Sequence, residues 1–234
     1  MLEDIRIPNV LFIDVETVPV VYKYTDLDED KRKLWDTKFR YVQTESPENL
    51  YKKAGIYAEF AKVICISVGF FHFESFRVKS FTGDEKQLLH DFSVLLNEHY
   101  HSKKHLLCAH NGKEFDFPFL CRRMLINGLR LPKLLNIAGK KPWEVNHLDT
   151  MELWKFGDYK SYTSLNLLAN IFNIPTPKDD IDGSDVARVY WEENNIQRIA
   201  TYCQKDVITV AQLLLRFKGE PLIEEKNIVY TDIG

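Results

Sequence analysis

Apolar and polar positions change period several times along the chain, and each change marks an element. Leu11-Phe12-Ile13-Asp14-Val15-Glu16-Thr17 is an apolar run interrupted at every second residue, which predicts a buried strand. Successive strand side chains point to opposite faces, so Asp14 and Glu16 share one face while Ile13 and Val15 point into a core. Lys62 to Phe71 predicts a second buried strand and Glu74 to Phe81 a third, with His72-Phe73 near the turn of the resulting hairpin. The intervening stretch, about 22–61, is polar. It contains Asp28-Glu29-Asp30-Lys31-Arg32-Lys33 and carries Leu34 and Phe39 at helical spacing, which predicts one or two surface helices inserted between strands.

From Asp84 the period becomes helical. Leu88, Leu89, Phe92, Leu95 and Leu96 form one stripe behind an acidic first turn. Leu106-Leu107-Cys108-Ala109 predicts a short buried strand, about Pro118 to Asn127 a helix stopped by Gly128, and a further strand ends at Asp149. Ser164 is placed to cap a helix containing Leu165, Leu168, Ile171 and Phe172, and the last clear element is a long helix from about Asn195 to Phe217. Three strands in meander order, then helices alternating with strands, predict an α/β fold: a mixed five-stranded sheet with helices on both faces. The tail after Gly219 carries no readable pattern.

Composition narrows the class. The 234 residues are 45% hydrophobic and 28% charged, which suits a single large α/β domain over 1–234 with the helical insertion at about 22–61. Cys65, Cys108, Cys121 and Cys203 lie in apolar segments without a Cys-x-x-Cys pair, and read as reduced core residues. No apolar run is long enough to span a bilayer, so a soluble, cytoplasmic protein without a membrane partner is expected. The net charge of −3 excludes a global basic field for holding long duplexes. The basic pairs Lys52-Lys53, Lys103-Lys104, Arg122-Arg123 and Lys140-Lys141 read as solvated surface.

Two like charges side by side on a strand repel and lose hydration, so Asp14 and Glu16 need a reason to sit together; a divalent cation is one. Further acids are present at plausible places. Asn111-Gly112-Lys113-Glu114-Phe115-Asp116 directly follows the strand at 106–109, where α/β folds build sites, although a plain turn with Asp116 as a helix cap fits the same residues. On the last helix, whose core face carries Ile196, Ile199, Cys203, Val207, Val210 and Leu214, Tyr202 and Asp206 lie roughly 60–100° off the centre of that face and one above the other. Asp149 at a strand end reads as a structural hydrogen-bonding residue, His110 as a packing or turn residue, and Asp179, Asp180, Asp182 and Asp185 around Gly183 as a solvated turn without calcium-loop spacing. Lys160 and Lys178 are candidate phosphate contacts.

Asp14-x-Glu16, Asn111-x-x-x-Phe115-Asp116 and Tyr202-x-x-x-Asp206, in that order, resemble the three motifs of the DEDD, or DnaQ-like, 3'-to-5' exonucleases, whose fold is ribonuclease H-like. Tyr202 four before Asp206 matches the tyrosine subclass; the histidine subclass would need a histidine where Thr201 stands. Tyr57-Ala58-Glu59-Phe60-Ala61-Lys62 leading into Ile64-Cys65-Ile66-Ser67-Val68 resembles stand-alone relatives of the exonuclease domain of family B DNA polymerases, over roughly residues 9–217.

That resemblance implies two Mg²⁺ or Mn²⁺ ions, the hard cations carboxylates suit. Asp14 would bridge them, Glu16 and Asp206 would complete the water-activating site, Asp116 would support the other ion, and Tyr202 would orient the attacking water. Thr17 and Asn111 would contact the terminal nucleotide, with Phe115 or Phe117 near its base. Bound ions supply local positive charge, so an acidic protein can still accept a phosphate backbone. The implied function is metal-dependent release of nucleoside monophosphates from 3' ends, single-stranded DNA favoured, with a place in DNA repair. No polymerase domain fits within 234 residues, so proofreading would be in trans. RNA trimming, and a binding module that kept the fold but lost catalysis, are the alternatives.

Overall fold

A computed structural model describes residues 2–158, 162–175 and 181–231; Lys160, Lys178, Asp179 and Asp180 lie outside the described residues. In chain order the elements are β1 (Val10–Pro19), α1 (Glu29–Phe39), α2 (Pro47–Tyr51), β2 (Ala61–His72), β3 (Ser75–Thr82), α3 (Glu85–His99), β4 (Leu106–Ala109) and α4 (Asp116–Ile126). They continue as β5 (Leu148–Asp149), α5 (Thr150–Lys155), α6 (Leu165–Ile171), α7 (Val186–Trp191), α8 (Ile196–Lys218) and β6 (Ile228–Tyr230). The sheet order is β5-β4-β1-β2-β3-β6. β1, β2 and β3 form an antiparallel meander, while β4 joins β1, β5 joins β4 and β6 joins β3 in parallel.

The sheet therefore has six strands where the sequence pattern predicts five. β6 comes from the tail: three half-buried to exposed residues held to the edge of β3 by backbone pairing, too short and too exposed to leave a periodic signal. The solvated turn around Asp182 is present, with its carboxylate accepting from the Ser184 N–H at 2.7 Å.

Both faces of β1 are covered. Leu11, Ile13 and Val15 pack with Leu88, Leu89 and Phe92 of α3 and Leu120 and Met124 of α4. Val10 and Phe12 pack on Val207, Val210 and Leu214 of α8, and Val18 joins Ile64, Ile199 and Cys203 on that same side. Strand alternation puts residues 10, 12, 14, 16 and 18 on one face, so Asp14 and Glu16 occupy the gap between two apolar patches under α8. Helix and sheet approach closely there because β2 has glycine at 69: a Cβ would fall 2.4 Å from the Phe76 ring and 2.6 Å from Val207.

The insertion has its own small core. Trp35, fully buried, gathers Leu27, Leu50, Tyr51, Ala54 and Phe60, and its indole N–H donates to the Pro47 carbonyl at 2.9 Å. Leu34 is 62% exposed. The inward stripe of α1 passes through Trp35 and Phe39, which are four apart, and leaves Leu34 outside.

Below the sheet, His147 is held neutral. Its Nδ1 accepts from the Leu107 N–H at 3.3 Å and its Nε2–H donates to the Leu134 carbonyl at 2.9 Å. Burial holds its pKa down at about 4, against an ordinary value of 6.5. Because the folded value is depressed, the contribution is complete above about pH 6.5 and lost as pH falls towards 4, a difference on the order of 3 kcal/mol. Urea melts at pH 7 and pH 4.5 should therefore show a smaller acid-induced loss for His147→Gln than for the wild type; equal losses would refute this account.

Candidate active site

β1 delivers two acids to the α8 side, and its pairing with β2 is irregular at that point. Asp14 pairs with Ser67 and Glu16 with Cys65, but Thr17 pairs with Val63, leaving Ile64 as an extra residue on β2. Such a bulge bends the strand and re-aims the side chains beside it. Thr17 lies just past it, half-buried, and its hydroxyl donates to the Gly55 carbonyl at 2.7 Å, tying β1 to the insertion.

Asp116 is the first residue of α4 and is buried. The loop that presents it is tightly specified. Asn111 has a left-handed φ of +64°, and at Gly112 a Cβ would stand 2.4 Å from that of Ala109. Asp149 fastens the loop from β5, accepting from the N–H groups of Asn111 at 3.0 Å and Lys113 at 3.1 Å as well as capping α5 through Met151. Its role is the structural one expected. His110 reaches further than its own turn, bonding Thr150 Oγ1 and the Thr163 carbonyl, each at 2.9 Å. Phe115 is half-buried, with its ring 5.2 Å from that of Phe119. Phe117 is fully buried, packed edge-on against His147 at 5.0 Å. It has no exposed ring face for a base, so its part in the site is packing beneath the Asp116 loop; the nearest half-exposed ring is Phe115.

α8 contributes Tyr202, Cys203 and Asp206. The Tyr202 phenol is hydrogen-bonded to the Asp206 carboxylate. Cys203, on the core face, donates its thiol to the Asp14 backbone carbonyl at 3.4 Å. One oxygen each from Asp14 and Glu16 and the Cys203 sulfur all lie within 4.8 Å of one another. The sequence pattern assigns Cys203 to the core alone. The signal for its placement is geometric: the core-face residue of the Tyr202-x-x-x-Asp206 segment must meet whatever β1 presents to α8, and that is Asp14 and Glu16.

The acids act on one another. Burial pushes the Asp14 carboxyl up to about 6, despite hydrogen bonds from Cys203 and Glu16 that oppose the rise. Glu16 is held well above the usual carboxylate range, first by burial and then by the negative charges of Asp14, Asp206 and Asp116. Asp116 is raised by burial and by Asp14. Tyr202 is pushed far above an ordinary phenol by burial, with Asp206, Glu16 and Asp14 adding to it. Asp14 Oδ2 and Asn111 Oδ1 are buried acceptors without a hydrogen-bond partner among the described residues. Four mutually repelling acids with an unmatched oxygen are an environment that a hard divalent cation relieves, and the donor set fits one.

Comparison with known proteins gives the family and the fold. Residues 56–221 match the family described as "Predicted 3'-5' exonuclease related to the exonuclease domain of PolB". The matched segment takes in Asp116, Tyr202 and Asp206 and begins after Asp14 and Glu16. Among solved structures, the family B DNA polymerase from the hyperthermophilic archaeon Pyrobaculum calidifontis matches with a TM-score of 0.53 and 17% identity, over 89% of this chain. The shared fold is ribonuclease H-like, and the chain spans 24% of that polymerase.

Proposed function

This chain belongs to the family of predicted 3'-5' exonucleases related to the exonuclease domain of PolB, and on that premise we propose that it is a metal-dependent 3'-to-5' exonuclease of the tyrosine subclass. Its substrate is nucleic acid, with single-stranded DNA ends favoured, and its products are nucleoside 5'-monophosphates. The observation that carries this reading is the convergence of acids from β1, α4 and α8 on one site, where burial raises Asp14, Glu16 and Asp116 and the charges of the other three acids raise Glu16 further.

Asp14, Glu16, Asp116 and Asp206 would hold two Mg²⁺ or Mn²⁺ ions. Such ions lower the pKa of bound water and stabilise charge on the attacking and leaving oxygens of an in-line displacement at phosphorus. The chain's own contribution is placement. Tyr202 stays a neutral phenol at any physiological pH, so it orients water through its hydroxyl rather than acting as a base. Asp206 fixes the direction of that hydroxyl. Asn111, whose left-handed backbone Asp149 fixes through its N–H, Thr17 and the half-buried Phe115 are the proposed contacts with the terminal nucleotide.

The test uses 5'-labelled single-stranded DNA and RNA of equal sequence with Mg²⁺, Mn²⁺ or EDTA. A ladder shortening from the 3' end in the presence of metal is the expected result, faster on DNA; faster shortening of RNA would reassign the substrate. No cleavage of either strand under any metal condition would leave a nucleic-acid-binding module instead. For Tyr202→Phe, kcat should fall by about 10²–10³-fold with metal affinity retained, and unchanged turnover would remove the water-orienting role.

A further inference from the structure

We propose that the Cys203 thiol gives the Asp14 and Glu16 pair a third, soft donor, so that this pocket takes a thiophilic divalent cation of the zinc or cadmium class through an oxygen-oxygen-sulfur ligand set. The inference concerns the same pocket as the nuclease reading and rests on it for the setting, but on separate chemistry.

Three observations point to it. The three donor atoms lie within 4.8 Å of one another. Metal–sulfur and metal–oxygen bonds of about 2.3 and 2.0–2.2 Å together span roughly 4 Å, so small side-chain rotations bring all three to a common centre. Asp14 Oδ2 has no hydrogen-bond partner among the described residues. The thiol is free, buried, and already in contact with the Asp14 backbone at 3.4 Å.

Hard Mg²⁺ and Mn²⁺ have little use for sulfur, so with them the thiol stays a protonated packing group. A soft cation binds the thiolate, and the displaced proton passes to solvent. Zinc also stands above manganese in affinity for mixed nitrogen, oxygen and sulfur sites. It would therefore occupy Asp14 and Glu16 in place of the hydrolytic ions.

The full chain, stripped of metal, is titrated with Cd²⁺ and with Co²⁺ while sulfur-to-metal charge-transfer absorption is followed. A saturable band is expected in the wild type. It should vanish in Cys203→Ser, with Cd²⁺ affinity lowered on the order of 10–100-fold or more, persist in Cys121→Ser, whose thiol bonds the Leu135 carbonyl instead, and weaken in Asp14→Asn/Glu16→Gln. Cadmium NMR of the wild type reads sulfur ligation directly, should the serine variant fold poorly. No band and no sulfur-shifted cadmium resonance in the wild type overturns the proposal, as does a band that survives Cys203→Ser or is indifferent to the carboxylate changes. Mg²⁺-dependent cleavage is assayed on the same wild-type sample. A thiolate band without cleavage supports this inference and removes the nuclease reading; cleavage without a band does the reverse.

Discussion

Asp14→Asn should lower metal-dependent hydrolysis from the 3' end by at least about 10³-fold while making the metal-free protein more stable. The two effects have one cause. Asp14 is the largest charge felt by Glu16 and Asp116, and it adds to the effect of Asp206 and Glu16 on Tyr202. Asparagine keeps the shape and one acceptor but removes the charge, so cation binding weakens and the repulsion that cations relieve disappears. The sign with pH follows from the raised carboxyl, about 6 folded against 3.8 ordinarily. In the metal-free wild type the Asp14 contribution to stability should grow as pH falls from above 6 towards 4, against the opposite contribution of His147. The ionised carboxylate costs on the order of 3 kcal/mol above that range. In Asp14→Asn this contribution should be lost, and Mg²⁺ should no longer raise Tm. Thermal melts from pH 5 to 8 with and without EDTA check both points. Retained activity, or a variant less stable than wild type in EDTA at pH 8, would sink the assignment.

The second large effect is on the fold. Arg123 of α4 donates Nε and Nη2 to the two Glu85 oxygens at 2.8 and 2.6 Å, and Nη1 to the Ala58 carbonyl at 2.8 Å. Glu85, at the start of α3, also accepts from the Val63 N–H at 2.7 Å and the Asn127 amide at 3.0 Å. This buried pair joins α3, α4 and the entry to β2, directly before the bulge beside Glu16. Arg123→Ala strands the Glu85 charge and the Ala58 carbonyl, and should cost about 3–5 kcal/mol in a urea melt. Arg123→Met/Glu85→Met removes both charges and should lose less than Arg123→Ala. If Arg123→Ala costs under about 1 kcal/mol, the pair is a bystander.

Much of this was legible in residue order. β1, β2, α3 and α8 are long and strongly periodic, and the caps are readable chemistry: Asp84 accepts from the Gln87 N–H at 3.1 Å and Ser164 from the Leu167 N–H at 3.3 Å, as their positions predict. The motif acids are legible because strand and helix periods place them on the faces turned towards one another. What was not legible depends on tertiary partners. Phe117 reads as a candidate base contact until the α4 docking angle buries it, and α5 and α7 at six residues each are too short for a period to declare itself. Cys203 is correctly a core residue by pattern. That its part of the core adjoins two carboxylates depends on the register of β1 beneath α8.

The pocket draws on residue 14 of the first strand and residue 206 of the last long helix, with Asp116 between them. Contacts of such sequence separation form late, because the chain's loop-closure entropy must be overcome before they contribute. During synthesis, α8 cannot dock until residues up to Lys218 have left the ribosome, and until then β1 offers two acids without α8 above them. The proposed hydrolytic competence would thus be a property of the finished fold alone, with no partial cutter in a truncated or half-folded chain. Recovery of cleavage after dilution from denaturant should accordingly trail the recovery of helical signal.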